Sequence, residues 1–231
     1  HKLFAPCPVI RIDRDTTRRK GAFNDIIEQL NKPGPAILVG TQLLAKGHHF
    51  PNVTLVAIVD MDAGFYSADF KATERMAQLL LQVGGRAGRE HKLGTVALQT
   101  QFPEQPILLT LIQHGYLAFT QQLLVERSNN DLPPFHYHTL LRAESSHATE
   151  AMDFLGSLQQ KLPQNMGVEI LGPIPASMEK RAGRVRAQLL LSSASRRDLH
   201  YALDACLQLI EQPPPGRRRP WSAAVDPVAL F

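Results

Sequence analysis

Two short apolar runs, residues 36–40 and 54–60, constrain the fold of this chain more than any other feature. They are rich in β-branched side chains and of strand length. Such runs are expected where helices cover both faces of a sheet. The segments around them carry helical periodicity. In residues 20–31, Phe23, Ile26, Ile27 and Leu30 recur at helical spacing, and Pro33-Gly34-Pro35 ends the pattern. In residues 71–83, Met76, Leu79, Leu80 and Val83 fall on one side. Residues 9–13 and 94–100 read as further strands. Strand and helix signals therefore alternate through the first half, which predicts an α/β lobe with a mostly parallel sheet.

Residues 104–127 read as two helices broken near His114-Gly115, with Tyr116, Phe119, Leu123 and Val125 as core contacts rather than a ligand box. The stretch 128–134, Ser-Asn-Asn-Asp-Leu-Pro-Pro, is polar and then proline-rich, and is the best boundary signal in the chain. Beyond it the order changes. Strands are expected at 137–143, 168–171, 184–191 and 222–225, and helices at 147–162 and 195–211. The order β-α-β-β-α-β predicts a smaller α+β unit of the ferredoxin-like type. The expected organisation is one domain over 1–127, a linker over 128–134 and a second domain over 135–231. Pro213-Pro214-Pro215-Gly216-Arg217-Arg218-Arg219-Pro220 reads as a stiff basic loop.

Composition narrows the function classes. Hydrophobic residues make up 44% and charged residues 20% of the 231, as in globular proteins without a membrane span. No apolar run approaches the roughly 20 residues a span needs, and no signal segment opens the chain. His1 in place of Met points to an excised or processed product. The two cysteines, Cys7 and Cys206, fall in different expected domains and form no CxxC pair, which fits a reducing cytoplasm rather than a disulfide or metal scaffold. His48 with His49, and His136 with His138, are expected to be no metal site. The net charge of +4 leans towards nucleic acid.

The strongest chemical signal is Gln82-Val83-Gly84-Gly85-Arg86-Ala87-Gly88-Arg89 at the end of the predicted 71–83 helix. Two guanidiniums on one side suit a polyphosphate, since each can fork onto phosphate oxygens. Standing alone, the octapeptide also fits a solvated arginine pair beside a glycine-rich helix stop. One strand upstream lies Gly40-Thr41-Gln42-Leu43-Leu44-Ala45-Lys46-Gly47-His48-His49-Phe50. In the second half, Lys180, Arg181, Arg184 and Arg186 crowd a turn and the strand after it, and Arg217, Arg218 and Arg219 form a second basic cluster. Such side chains bind backbone phosphates without reading sequence. Trp221, beside the second cluster, is expected in the core rather than stacked on a base.

Together the two motifs resemble the last two motifs of superfamily 2 helicases, and Gln-x-x-Gly-Arg-x-x-Arg is matched at every fixed position. The wording resembles the primosomal replication-restart helicases of the PriA family. Ile12-Asp13-Arg14-Asp15-Thr16-Thr17, Gly40-Thr41-Gln42, Ala45 to Pro51, Ser67-Ala68-Asp69-Phe70, Leu132-Pro133-Pro134 and Leu171-Gly172-Pro173 with Pro175-Ala176 all carry the likeness. Gly84 departs from it, where the family usually carries alanine.

The resemblance implies a second RecA-like lobe followed by the family's C-terminal DNA-binding domain. It implies that Gln82 lies at the nucleotide's phosphates, that Arg86 and Arg89 reach the γ-phosphate, and that Gly47 and Gly85 allow close backbone approach. It further implies that Thr41, Lys46 and His48 meet DNA, as Lys180, Arg181, Arg184 and Arg186 would in the last domain. ATP and Mg²⁺ are the implied cofactors of the complete protein, with zinc held only outside this chain. Forked and single-stranded DNA, the primosome and single-stranded-DNA-binding proteins are the implied partners. The chain has no Gly-x-x-x-x-Gly-Lys-Ser/Thr loop and no Asp-Glu-x-His stretch, so alone it is expected not to hydrolyse ATP. Two other readings stand beside this one: a non-catalytic nucleic-acid-binding module, and an unrelated nucleotide-binding α/β enzyme.

Overall fold

Apart from one short helix, strands and helices follow one another in the order the apolar periodicities predict. The structure, a computed structural model, describes residues 4, 6–13, 22–30, 34–40, 53–67, 69–85, 94–147, 149–163, 166–181, 183–211 and 220–227. The elements are β1 (Val9–Ile12), α1 (Ala22–Leu30), β2 (Ile37–Gly40), β3 (Leu55–Ile58), α2 (Asp62–Phe65), α3 (Ala72–Gly84), β4 (Thr95–Leu98) and α4 (Pro106–Asn129). There follow β5 (Tyr137–Ser145), α5 (Glu150–Lys161), β6 (Glu169–Arg181), β7 (Arg184–Ser193), α6 (Arg196–Glu211) and β8 (Trp221–Val225).

The chain divides into two compact units. The first holds residues 1–66 and 73–103, the second residues 67–72 and 104–231. In the first unit β1 pairs with β2 and β3 with β4, both in parallel. Among the described residues the pairs form separate two-stranded sheets. Both faces of these strands are expected to be covered, but burial alternates along β3 and β4, and Leu55 is 59% exposed. One face of that pair is half-buried and the other is open. The short helix α2, which has too few residues to show a period, packs directly on α3: a Cβ at Gly64 would lie 2.6 Å from Met76 Cε.

In the second unit four strands form one sheet in the order β6-β7-β5-β8, antiparallel at every neighbour. Side chains alternate across it. Leu141 and Ala143 of β5, with Ala187, Leu189 and Leu191 of β7, form the core with Leu155 and Leu158 of α5 and Leu199, Ala202 and Cys206 of α6. Alternation sends His138, Leu140, Arg142 and Glu144 to the opposite face. The strand expected at 168–171 runs on to Arg181 as β6, despite Pro173 and Pro175. An edge strand tolerates residues without a backbone N–H, and β6 lies at the sheet's edge with register shifts at both prolines' neighbours.

The helix break expected near His114-Gly115 is present. Gly115 sits at φ 80° and ψ −177° inside α4, a conformation close to glycine-only. The break between compact units falls at Pro103 and Glu104 rather than at 128–134. The physical reason is that α4 buries Ile107, Leu108, Leu111, Phe119 and Leu123, as part of the second unit. Residues 128–134 are the end of α4 and a hydrogen-bonded turn after it, within that unit. Asn130 Nδ2 donates to Glu126 O at 2.7 Å, and the Leu132 and Phe135 amides donate to Arg127 O and Leu132 O.

Candidate nucleotide and nucleic-acid sites

In a parallel α/β sheet ligands gather beyond the carboxyl ends of the strands. In β1 and β2 these ends coincide, with Ile12 opposite Gly40. Thr41 follows Gly40 directly, but Thr41, Lys46, Gly47 and His48 lie outside the described residues. The ends of β3 and β4 are joined by a side chain that periodicity did not reveal. Asp62 accepts from the Thr100 hydroxyl at 2.5 Å and from the Gln101 amide at 2.8 Å. Its own loop begins at Asp60, where φ is 55°, a left-handed value that aspartate tolerates better than most residues.

Helix α3 positions the glutamine–arginine motif. Gln82 is exposed in its last turn. The Gly85 amide closes the helix onto Leu81 O at 3.0 Å. A Cβ at Gly84 would meet nothing within 4 Å, so the alanine that the motif usually carries fits there, and glycine is not required by packing. Arg86 and Arg89 lie outside the described residues, as does Gly88.

The other end of α3 is built by Ser67 and Asp69. Ser67 Oγ accepts from the Asp69 amide at 3.2 Å. Asp69 Oδ1 accepts from the Lys71 amide at 3.0 Å, and Asp69 O accepts from the Ala72 amide at 2.8 Å. An aspartate that hydrogen-bonds the backbone two residues on starts a turn, and here it launches the helix.

In the second unit, backbone register pairs Lys180 with Val185 and Arg181 with Arg184 around Gly183. The side chains of Lys180 and Arg181 lie outside the described residues. Arg184 is exposed. Arg186 points along the same face but forms an ion pair, its Nε 3.0 Å from Glu144 Oε1, with 17% of the side chain exposed. It is therefore less available to a phosphate than Arg184. Burial first, and Arg186 second, pushes the Arg142 pKa below its ordinary value. Arg217, Arg218 and Arg219 lie outside the described residues. Trp221, expected in the core, is half-buried on β8 and stands outside the core cluster. Edge position explains this: β8 has a neighbour on one side only.

The histidines separate by environment. His138 is 2% exposed, and its ring meets the Phe70 ring edge-on at 5.9 Å. Burial chiefly, then His136 and Lys71, lowers its pKa, against Asp226, which raises it. His136 Nδ1 lies 3.4 Å from Asp131. Among the described residues no group of three or more histidine, cysteine or acidic side chains could hold a metal ion. Also among the described residues, no helix is long and apolar enough to cross a membrane.

Strand β2 ends at Gly40, directly before Thr41, and Gln82 stands in the last turn of α3, so the two motifs follow regular elements of an α/β unit. The comparisons give its class: residues 5–91 match the helicase conserved C-terminal domain family. Residues 128–228 match the family of primosomal protein N C-terminal domains. The replication restart protein PriA of Haemophilus influenzae is 47% identical over 203 residues, covering 87% of this chain and 28% of the relative. That of Synechocystis is 40% identical over 190 residues, covering 80% and 23%. That of Bacillus subtilis is 34% identical over 209 residues, covering 90% and 26%. The chain belongs to the PriA family of replication restart proteins, and it spans about a quarter of the length of these relatives.

Proposed function

We propose that this chain is the C-terminal part of an ATP-dependent 3′-to-5′ DNA helicase that recognises stalled replication forks and initiates primosome assembly. The second RecA-like lobe would lie within residues 1–127 and a ferredoxin-like DNA-binding domain within residues 135–231. The β6-β7-β5-β8 order, antiparallel throughout with both helices' core residues on one face, supports the second assignment. The observation that carries the reading is the Gln82-to-Arg89 motif at the open end of α3. Gln82 is exposed there, and a Cβ at Gly84 would meet nothing within 4 Å.

ATP with Mg²⁺ supplies the phosphoryl-transfer chemistry in the complete protein. Gln82 and Gly85 would lie at its phosphates, and Arg86 and Arg89 would stabilise charge on the transferred group. Thr41, Lys46 and His48 would follow the DNA strand from the loop after β2. Arg184, with Lys180 and Arg181, would hold DNA backbone in the second unit. The cytoplasm, forked and single-stranded DNA, the primosome and single-stranded-DNA-binding proteins complete the picture. The test is DNA-dependent ATP turnover. The complete protein should turn ATP over when DNA is added, and this chain alone should not. Turnover by the isolated chain that survives Arg89→Ala would overturn the assignment of roles. Binding of DNA with no turnover in the complete protein would favour a non-catalytic nucleic-acid-binding module.

A further inference from the structure

The carboxyl ends of β3 and β4 carry an exposed aromatic pair. Ile58 stands opposite Leu98 in that register, so the two strands stop together. Tyr66, the residue that closes α2, and Phe102, in the turn after β4, meet beyond those ends. Their ring centroids are 5.0 Å apart and their planes cross at 61°. Even in contact, Tyr66 stays 58% exposed and Phe102 48%. A lone exposed ring needs no explanation, but contiguous apolar surface marks a contact site. Both rings, and the residues that hold them, belong to the first unit.

The pair is fixed from both sides. Asp62 accepts from the Thr100 hydroxyl and the Gln101 amide, and the Phe102 amide donates to Thr100 Oγ1 at 3.0 Å. The Tyr66 amide donates to Asp62 O at 2.9 Å. One aspartate therefore ties together the backbones that carry the two rings. Beneath them Met61 is fully buried, and the Gly64 backbone lies against Met76. Groups held in place before a ligand arrives lose little freedom on binding it.

The ligand class follows from shape and charge. An aromatic face takes another flat ring, and every nucleobase offers one. Residues 59–66 and 99–103 include two aspartates and no lysine or arginine. That charge repels a polyphosphate and leaves a neutral base unopposed. The place is also one where ligands gather, beyond the carboxyl ends of parallel strands. We propose that Tyr66 and Phe102 form a stacking platform for one base of single-stranded DNA, whose phosphates are held elsewhere. The inference rests on the helicase reading and adds to its phosphate contacts one made to a base, whatever the sequence.

The test uses the complete protein that contains this chain, with Tyr66→Leu, Phe102→Leu and both together. Affinity is measured for a thymidine oligonucleotide and for an abasic strand of the same length, over a range of salt, and for ATP. Leucine keeps apolar surface and removes the ring, so it would serve a packing role. In the double variant, affinity for the thymidine strand should fall about fivefold or more, the lower end of stacking on an aromatic side chain. Affinity for the abasic strand should hold, and so should the salt slope, which counts phosphates. Wild-type affinity for the thymidine strand in the folded double variant would overturn the proposal, as would equal loss on both strands. Weakened ATP binding with DNA affinity intact would give the rings to adenine and overturn it too. If the variants do not fold, the wild type decides, irradiated with thymidine strands that carry 5-iodouracil at each position in turn. Crosslinks at Tyr66 or Phe102 are expected, and crosslinks only at other residues would overturn the platform. A wild type that binds neither strand would remove the helicase reading, and the proposal with it.

Discussion

Replacing Gly172 by alanine should damage the second unit through two separable effects. Gly172 lies in β6 between Leu171 and Ile174, where the register with β7 shifts. Its φ is +110°, which L side chains rarely adopt. Forcing such a backbone costs about 1–3 kcal/mol. The added Cβ would also stand 3.1 Å from Gln188 O, 3.2 Å from Ile174 N and 3.6 Å from Leu189 Cα. All three are backbone atoms, and β7 is bonded to strands on both sides. None can swing aside as a side chain would, so crowding adds about 1–3 kcal/mol. Gly183, in the turn of the same hairpin, is the control. Its φ is +76°, but a Cβ there meets nothing within 4 Å. Gly183→Ala should therefore cost only the backbone part. The difference should appear as a gap of about 2–12 °C in melting temperature, at roughly 2–4 °C per kcal/mol for a chain of this size. Trp221 is the sole tryptophan and sits in the same sheet, so its fluorescence reports this unit. Equal melting of the two variants would refute the crowding argument.

The remaining predictions concern titration, thiols and DNA. Burial holds the His138 pKa below 6.5, so as pH falls through 6.5 the unfolded chain takes up a proton before the folded one, and stability is lost at up to about 1.4 kcal/mol per pH unit. His138→Phe should flatten the denaturant midpoint of the second unit between pH 6.5 and the lowered native value, and an unchanged slope would contradict the assignment. Cys206 is buried, with its pKa pushed up to about 11, while Cys7 is half-buried. A thiol reagent at pH 8 should label Cys7 and spare Cys206 until denaturant is added; rapid labelling of both in the native state would be the contrary result. For single-stranded DNA, Arg184→Ala should reduce the salt slope of binding by about 0.7, one phosphate contact. Arg186→Ala should reduce it less, since Glu144 already holds that guanidinium; equal effects would show that the ion pair opens on binding.

Most of the element order was legible in the sequence, because strand-length apolar runs and helical periodicity are local signals. The break in α4 was legible for the same reason: Gly115 interrupts a helical pattern at a residue that can leave it. What escaped depends on contacts far apart in the chain. Nothing local marks Asp62 as the tie between β3 and β4, since its partners lie 38 and 39 residues on. The prolines of β6 read as a strand end, and only its place at the sheet's edge makes them tolerable. The motif residue Phe70 was legible as part of a signature, but its ring contacts with Arg127 and His138 needed the fold of the second unit. The same holds for α4, whose attachment to that unit moved the boundary to Glu104. Of the candidate site, Gln82, Gly85, Arg184 and Arg186 are placed; the Gly85 amide is bonded to Leu81 O and Arg186 is paired with Glu144.

The most direct measurement is the DNA-stimulated ATP turnover of the complete protein with Arg89→Ala. If Arg89 reaches the γ-phosphate from the end of α3, turnover should fall by about 10³-fold or more, while ATP binding weakens far less. Turnover close to that of the wild type would contradict the account and return Arg86 and Arg89 to solvated cations at a helix end.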